Sequence, residues 1–536
     1  MYPTPRSHRP LIMGRNGAVG ANHPLATQAG LDTLRAGGNA VDAAVAISLT
    51  LGVVEPMMSG LGGDGFYQVH IAGQPKGLVY NGTGPAPIAA TPEAFPQGMS
   101  VHGPRSVSVP GSLAGIAAMH AAHGRLPWAK LAEPAIEHAR YGFAATHAYR
   151  MFSTDNRPQL AADPRSRMVF LAEAETRPLA GLVVQPDLAN TLEAIAADGA
   201  ETFYRGRLAQ RLAAGLAEAG SLVAEADLAA CEAEVQAPIA IQYRGYEVRQ
   251  TPPNSTGFVM LEMLRIVEQF DLAGMDPAQR VHVLVEAKKR AFLDRERYGA
   301  DPRFETVPIE HLLSDAVAHA HAAAISMDHA ADLPLKIPEK AEGDTTYFCV
   351  IDAEGNAVSG IQSINSSFGS GVTAGDTGVL MNNRMAYWHL DPAHPNRLQP
   401  GKRVRHTMNA PMVFQDGKLW GVLGTPGADN QVQVNLQVLT AMLDLGADPQ
   451  TAIERPRWTS SQPGQGANWP HAGDGVLTIE NDIGDEVLAG LEARGHVLNR
   501  VAHMGGPCSM QAIRLMPNGV RMAASDTRRD GWAGAY

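Results

Sequence analysis

The stretch DTTYFCVIDAEGNAVSGIQSINSSFGSG (344–371) decides how this chain is read. Residues 345–352 are β-branched and aromatic-rich, Ala353-Glu354-Gly355-Asn356 supplies turn residues, and AVSGIQSI (357–364) follows. The spacing predicts a β-hairpin with Thr345 at its free end. The preceding residues, ADLPLKIPEKAEGD (331–344), carry Pro, Lys and Gly without apolar periodicity, which predicts a linker running straight into Thr345. A cut between Asp344 and Thr345 would leave one residue holding both a hydroxyl and a free amine. A threonine hydroxyl is a poor nucleophile without an adjacent base, and an α-amine with a pKa of roughly 7.7–8.0 is suited to that role. An isolated strand threonine is ordinary. The hairpin, the linker and a glycine turn downstream together single out Thr345.

That downstream turn is Gly424-Thr425-Pro426-Gly427-Ala428 in NAPMVFQDGKLWGVLGTPGADN (409–430). Two strands joined by Gln415-Asp416-Gly417-Lys418 lead into it, and QVQVNLQVLTAMLDL (431–445) reads as a helix after it. A glycine turn at a helix start points backbone N–H groups outward, as an oxyanion hole requires. Between the hairpins, GVLMNNR (378–384) looks strand-like, and a Pro-rich loop runs to residue 401. Toward the N-terminus, helical periodicity over 23–37 stops at Gly37-Gly38-Asn39 and resumes over 40–54 as a buried helix. EPMMSGLGGDGF (55–66) then supplies four glycines between Gly60 and Gly65. Its order, turn then strand, is wrong for a dinucleotide or phosphate loop. Residues 128–330 read as mainly helical, interrupted by the strand-like 239–253.

Composition sets limits. Hydrophobic residues are 45% and charged residues 18% of the 536, which suits a globular enzyme with a large core. A net charge of −11 without any basic run argues against a nucleic-acid partner. Cys231, Cys349 and Cys508 are too few and scattered for a disulfide framework or a cysteine zinc site. The apolar stretch Ala40–Val54 contains Asp42 and is too short to span a bilayer, so no membrane partner is expected. MYPTPRSHRPLIMGRNG shows no secretory pattern, which predicts a cytoplasmic protein, a periplasmic one remaining open if the sequence is trimmed. His311, His319, His321 and His329 lie in an Ala-rich helical segment, and a His-x-His pair faces opposite ways on a helix, so no metal is expected there. Residues 286–302 carry mixed charges at i, i+4 and read as a solvated helix face.

AGGNAVDAAVA (36–46), EPMMSGLGGDGF (55–66), SVPGSLAG (108–115), YRGYEV (243–248), TTYFCVIDAEGNAVS (345–359), INSSFGSG (364–371) and GTPGAD (424–429) occur in the order found in the γ-glutamyltransferases, and the chain resembles that family over nearly its whole length. The resemblance implies an α/β four-layer αββα sandwich of the N-terminal-nucleophile (Ntn) hydrolases. It implies a precursor that cuts itself into a large subunit, 1–344, and a small one, 345–536, with a higher oligomer of that heterodimer left open. Thr345 would be nucleophile for both autocleavage, at Asp344-Thr345, and catalysis. Ser363 would support its hydroxyl, Asn365 would contact the substrate head group, and Gly427 and Ala428 would hold the oxyanion. The substrate would be a small-molecule amide, with no cofactor and no metal.

Departures from the family pattern concern the substrate. Thr83 stands where the family's carboxylate-binding arginine is expected, and Tyr387 where its ammonium-binding aspartate is expected. His406-Thr407 replace paired serines, and only residues 388–401 separate Tyr387 from Lys402, so the long lid is missing. Arg384, Arg403, Arg405 and His406 form either a solvated basic loop or the grip on a different acyl donor. The expected function is hydrolysis, favoured over transfer, of a γ-glutamyl or related amide. Alternatives are a non-glutamyl amide, such as a short oxo-acid amide or a cephalosporin-type acyl side chain, and an unprocessed binding protein.

Overall fold

A computed structural model describes residues 7–172, 175–335 and 344–536. Two seven-stranded sheets dominate it. One runs, in spatial order, Ile12–Gly14, Arg521–Ser525, Gln511–Leu515, Lys418–Gly424, Met412–Gln415, Tyr246–Gln250, Ile239–Tyr243. The other runs Trp532–Ala535, Ala18–Ala21, Asp344–Ile351, Ala357–Asn365, Asp64–His70, Leu78–Gly82, Glu234–Gln236. Neighbouring strands in both are antiparallel.

Alternation along the strands builds the layers. Tyr347, Cys349 and Ile351 pack with Met412, Phe414, Val422 and Ile513 between the sheets. Phe348 and Val350 point the other way, into a core shared with helices Pro24–Arg35 and Ala40–Val54. Behind the other sheet, helices Gly257–Val267, Pro277–Tyr298 and Asn430–Leu443 close a third core. The result is the αββα sandwich, with the predicted hairpin in the middle of one sheet.

Local chemistry explains most boundaries. Asn39 caps the buried helix Ala40–Val54: its side chain accepts from Val41 N and Asp42 N, and Asp42 returns the bond to Asn39 N. Arg244-Gly245, both at positive φ, turn residues 239–250 into a hairpin at the sheet edge. All three cysteines are buried and free.

Two expectations need correction, for residues 378–384 and for the charged helix, and the glycine-rich turn gains a packing role. Residues 378–384 make only isolated bridges, Thr373 with Leu380 and Gly62 with Met381, before a 3-10 turn at Arg384–Tyr387. Met381 bonds only to Ser370 and Val372 through its carbonyl and amide, and the pairing does not extend into a ladder. The glycines of 60–65 serve close packing: a Cβ on Gly62 would sit 2.2 Å from the Leu380 carbonyl oxygen, and one on Gly63 2.4 Å from that of Ser363. The charged helix Pro277–Tyr298 is not a solvated face, because Glu286, Lys288, Arg290 and Arg295 are all buried. Part of the predicted linker, 336–343, lies outside the described residues, as do residues 1–6. Among the described residues, no helix is long and apolar enough to cross a membrane.

Candidate active site

Thr345 follows Asp344 at the start of the central strand, and the ladder is irregular there. Asp344 pairs with Asn365 but Thr346 pairs with Gln362, so the partner strand carries one extra residue opposite Thr345. Such a bulge re-aims side chains. Thr345 Oγ1 donates to Ser363 Oγ at 3.3 Å, and Asn365 N donates to the same Ser363 oxygen at 2.8 Å. Thr346, on the opposite face, is tied to Glu55 at 2.6 Å and receives a bond from Asn22, which fixes the strand from behind. The Asp344 side chain lies outside the described residues.

Asn365, at a left-handed φ of 82°, links Ser363 to the predicted substrate residues. Its Oδ1 accepts from Arg384 Nη1 at 3.3 Å, and its Nδ2 donates to Asn468 Oδ1 at 2.8 Å. Arg384 is 1% exposed; its Nε donates to Asp64 Oδ2 at 3.3 Å, and its guanidinium lies 4.6 Å over the Tyr387 ring. His406 Nε2 also lies 3.3 Å from Asp64 Oδ2, though off the line of a hydrogen bond. Burial first, then the Arg384 charge, pull the His406 imidazole down to about 4, so the ring is neutral near pH 7. Tyr387 Oη and Thr407 Oγ1 are 3.3 Å apart.

The basic loop is therefore not solvated, and its members divide sharply. Arg403 is spent on the Glu234 carboxylate and on the carbonyls of Thr83 and Glu232. Arg405 is spent on Glu296 and the Arg295 carbonyl. Arg384 Nη2 and both His406 ring nitrogens are buried with no hydrogen-bond partner among the described residues, while Arg403 Nη1, also without a hydrogen bond, sits in its ion pair with Glu234. A buried donor such as Arg384 Nη2 is costly unless a ligand meets it, whereas the neutral His406, with Nε2 toward the Asp64 carboxylate, offers Nδ1 as an acceptor. Thr83 is locked as well: its hydroxyl donates to Asn81 at 2.6 Å and accepts from Asn254 at 3.2 Å.

The glycine turn lies beside this cluster. A Cβ on Gly424 would fall 2.3 Å from the Tyr347 ring, so the missing side chain lets the turn rest against the strand bearing Thr345. Gly427 has φ 123° and Ala428 φ 47°. Neither amide has an acceptor among the described residues, while their carbonyls take bonds from Asn430 N and Gln431 N. Asp429, next in the chain, is ion-paired with Arg295 of the buried charged helix. A cavity of about 570 Å³ is lined by Gly427, Ala428, Asn468, Met151, Phe152 and Arg529, among others. Asn468 thus stands in the cavity wall and holds Asn365 from behind.

Sequence reasoning missed Asp64, Asn468 and Arg295. Asp64 was visible within the glycine-rich motif, as the one charged residue in GLGGDG. Asn468 and Arg295 give no local signal. The loop over 388–401 is pinned: Asn396 Nδ2 donates to Tyr387 O at 2.8 Å, and His389 stacks between His394 and His471 at 3.5 and 3.6 Å.

The gamma-glutamyltranspeptidase family model matches residues 26–536. The glutathione hydrolase-like YwrD proenzyme of Bacillus subtilis is 38% identical, over 97% of this chain and 99% of its own length. The acylase ACY 1 proenzyme of Pseudomonas sp. (strain SE83) is 37% identical, over 97% of this chain and 93% of its own. Among solved structures, cephalosporin acylase from Bacillus halodurans superposes with a TM-score of 0.91 at 33% identity, covering 100% of this chain and 98% of that one.

Proposed function

Starting from the fact that the chain belongs to the γ-glutamyltranspeptidase family of Ntn amidohydrolases, we propose that it cleaves itself before Thr345 and then hydrolyses an amide whose acyl group carries no α-ammonium. The observation that carries this reading is the Thr345 hydroxyl, set on Ser363 at a bulge where the strand begins. In self-cleavage the Thr345 oxygen attacks the Asp344 carbonyl carbon. The C–N bond breaks, an ester forms, and water opens it to an Asp344 carboxylate and a Thr345 bearing a free amine. The chain thereby becomes subunits of 344 and 192 residues.

In turnover, the amine accepts the hydroxyl proton as the oxygen attacks the substrate carbonyl. The Gly427 and Ala428 amides face the developing oxyanion, and their lack of other acceptors supports that role. The proton passes to the leaving amine, and water then hydrolyses the acyl-threonine ester. The short loop over 388–401 supports hydrolysis over transfer, because it offers little surface on which to hold a second amine.

For the acyl group, the buried Arg384 Nη2, which has no hydrogen-bond partner among the described residues, favours a carbonyl or carboxylate. Tyr387 and the internally bonded Thr83 offer an α-amino acid neither of the charges it needs. The relatives named acylases fit such a substrate, an acyl side-chain amide, better than those named glutathione hydrolases. Denaturing electrophoresis with N-terminal sequencing tests the scheme. A fragment beginning Thr-Thr-Tyr is expected, with Thr345→Ala remaining one chain. A stable and active uncleaved wild type refutes it.

A further inference from the structure

Three clusters of metal-binding side chains occur among the described residues, and only one is left with an unmet demand. At His282, Glu286 and His496, the carboxylate is already claimed by Lys289, Arg290 and Ala331 N, and His282 is bonded through both ring nitrogens. At Glu296, His389 and His394, Arg295 and Arg405 hold the carboxylate, and the two imidazoles are stacked parallel, so their lone pairs do not converge.

Glu262, Asp294 and His321 differ. Each comes from a different helix, Gly257–Val267, Pro277–Tyr298 and Asp315–Ala323, and their ligand atoms all lie within 4.8 Å of one another. Glu262 is 0% exposed, and neither of its oxygens receives a hydrogen bond. His321 Nε2 is 2.9 Å from Asp294 Oδ2 and 3.6 Å from Glu262 Oε1. Around a tetrahedral zinc with bonds of about 2.0–2.2 Å, ligand atoms stand roughly 3.3–3.5 Å apart, and these two distances bracket that value. Two carboxylate oxygens and one imidazole nitrogen form a donor set suited to Zn²⁺, with water completing the shell. His319 is not involved: its Nδ1 bonds the Asp315 carbonyl at the exposed face, as helix geometry requires of a His-x-His pair.

We propose that Glu262, Asp294 and His321 form a structural divalent-cation site, zinc first, that clips three helices of the outer layer together. The uncompensated demand is that both Glu262 oxygens are buried without a hydrogen bond, with a Glu262 ligand atom within 4.8 Å of those of Asp294 and His321. A cation satisfies both carboxylates at once. The site also reaches the catalytic layer, because Asp294 is followed by Arg295, the residue paired with Asp429 beside the glycine turn. The inference stands independently of the substrate reading.

The test uses the full-length protein, stripped with EDTA, desalted and titrated with ZnCl₂, with MgCl₂ as control. Wild type is expected to retain one zinc ion per chain by elemental analysis, and its Tm to rise by several degrees as a ligand binding only the folded state raises it. His321→Ala, at a partly exposed position, should keep its far-UV circular dichroism but lose both the zinc and the Tm response. Asp294→Asn should weaken zinc at least tenfold and serves as the second variant if His321→Ala does not fold. Amide hydrolysis should survive stripping at moderate temperature, since every role in acyl transfer is filled without a metal. Stripped wild type that takes up no zinc shows a shared proton between the carboxyls instead and overturns the proposal. Equal zinc uptake by wild type and both variants overturns it too.

Discussion

Asp64→Asn tests the reading that one buried carboxylate holds the substrate cluster in place. Asp64 is 0% exposed and faces Arg384 Nε and His406 Nε2, both at 3.3 Å, while its other oxygen accepts from Gly84 N at 2.8 Å. Asparagine keeps an acceptor for Gly84 and removes only the charge. At 3.3 Å and an effective dielectric constant near 20, the lost attraction to the guanidinium is about 5 kcal/mol. Removing one partner of a buried pair is typically worth about 3–5 kcal/mol, because the other charge is left stranded. The neutral His406 supplies no replacement. A chain of this length has an unfolding entropy of about 1.1 kcal/mol/K, so a loss of about 4 kcal/mol lowers Tm by about 4 °C. Differential scanning calorimetry measures that shift, and kcat/KM on an accepted amide should fall at least about 30-fold as Arg384 loses its orientation. Asp64→Asn/Arg384→Met removes both charges and should recover most of the stability but not the activity. A single variant with unchanged Tm and activity, or a double variant whose losses simply add, would refute the reasoning.

Gly427→Ala places a Cβ 2.3 Å from Cys508 Sγ at a φ of 123°, so the oxyanion amides should shift and kcat drop about 100-fold with KM little changed; steady-state kinetics read the split. Acid should destabilise the fold between pH 6.5 and 4, because His406, lowered to about 4 by burial and Arg384, binds a proton more readily unfolded; stability is present above the unfolded value and lost as pH falls. The His406 share is about 3 kcal/mol, and His406→Asn should flatten the dependence of Tm on pH over that range. Glutathione and γ-glutamyl anilides should be turned over with kcat/KM at least about 100-fold below an acyl amide lacking an α-ammonium, since each missing charged contact is worth about 2–5 kcal/mol; efficient glutathione hydrolysis would contradict this.

What the sequence determined by itself was whatever is encoded within a dozen residues. The hairpin around Thr345 follows from period-two alternation and its Gly355-Asn356 turn, and the helix pair meeting at Gly37-Asn39 follows from apolar periodicity and a cap. The turn at Gly424–Ala428 is legible for the same reason, and family motifs extend that local legibility to Ser363 and Asn365. Tertiary structure alone decided the electrostatics. Whether Arg384, Arg403 and Arg405 meet solvent, substrate or an internal carboxylate depends on Asp64, Glu234 and Glu296, each more than a hundred residues away. A charged helix looks the same in sequence whether its ions face water or, like Arg295, turn inward to Asp429. Desolvation and long-range pairing set those outcomes, and neither leaves a periodic trace in the chain.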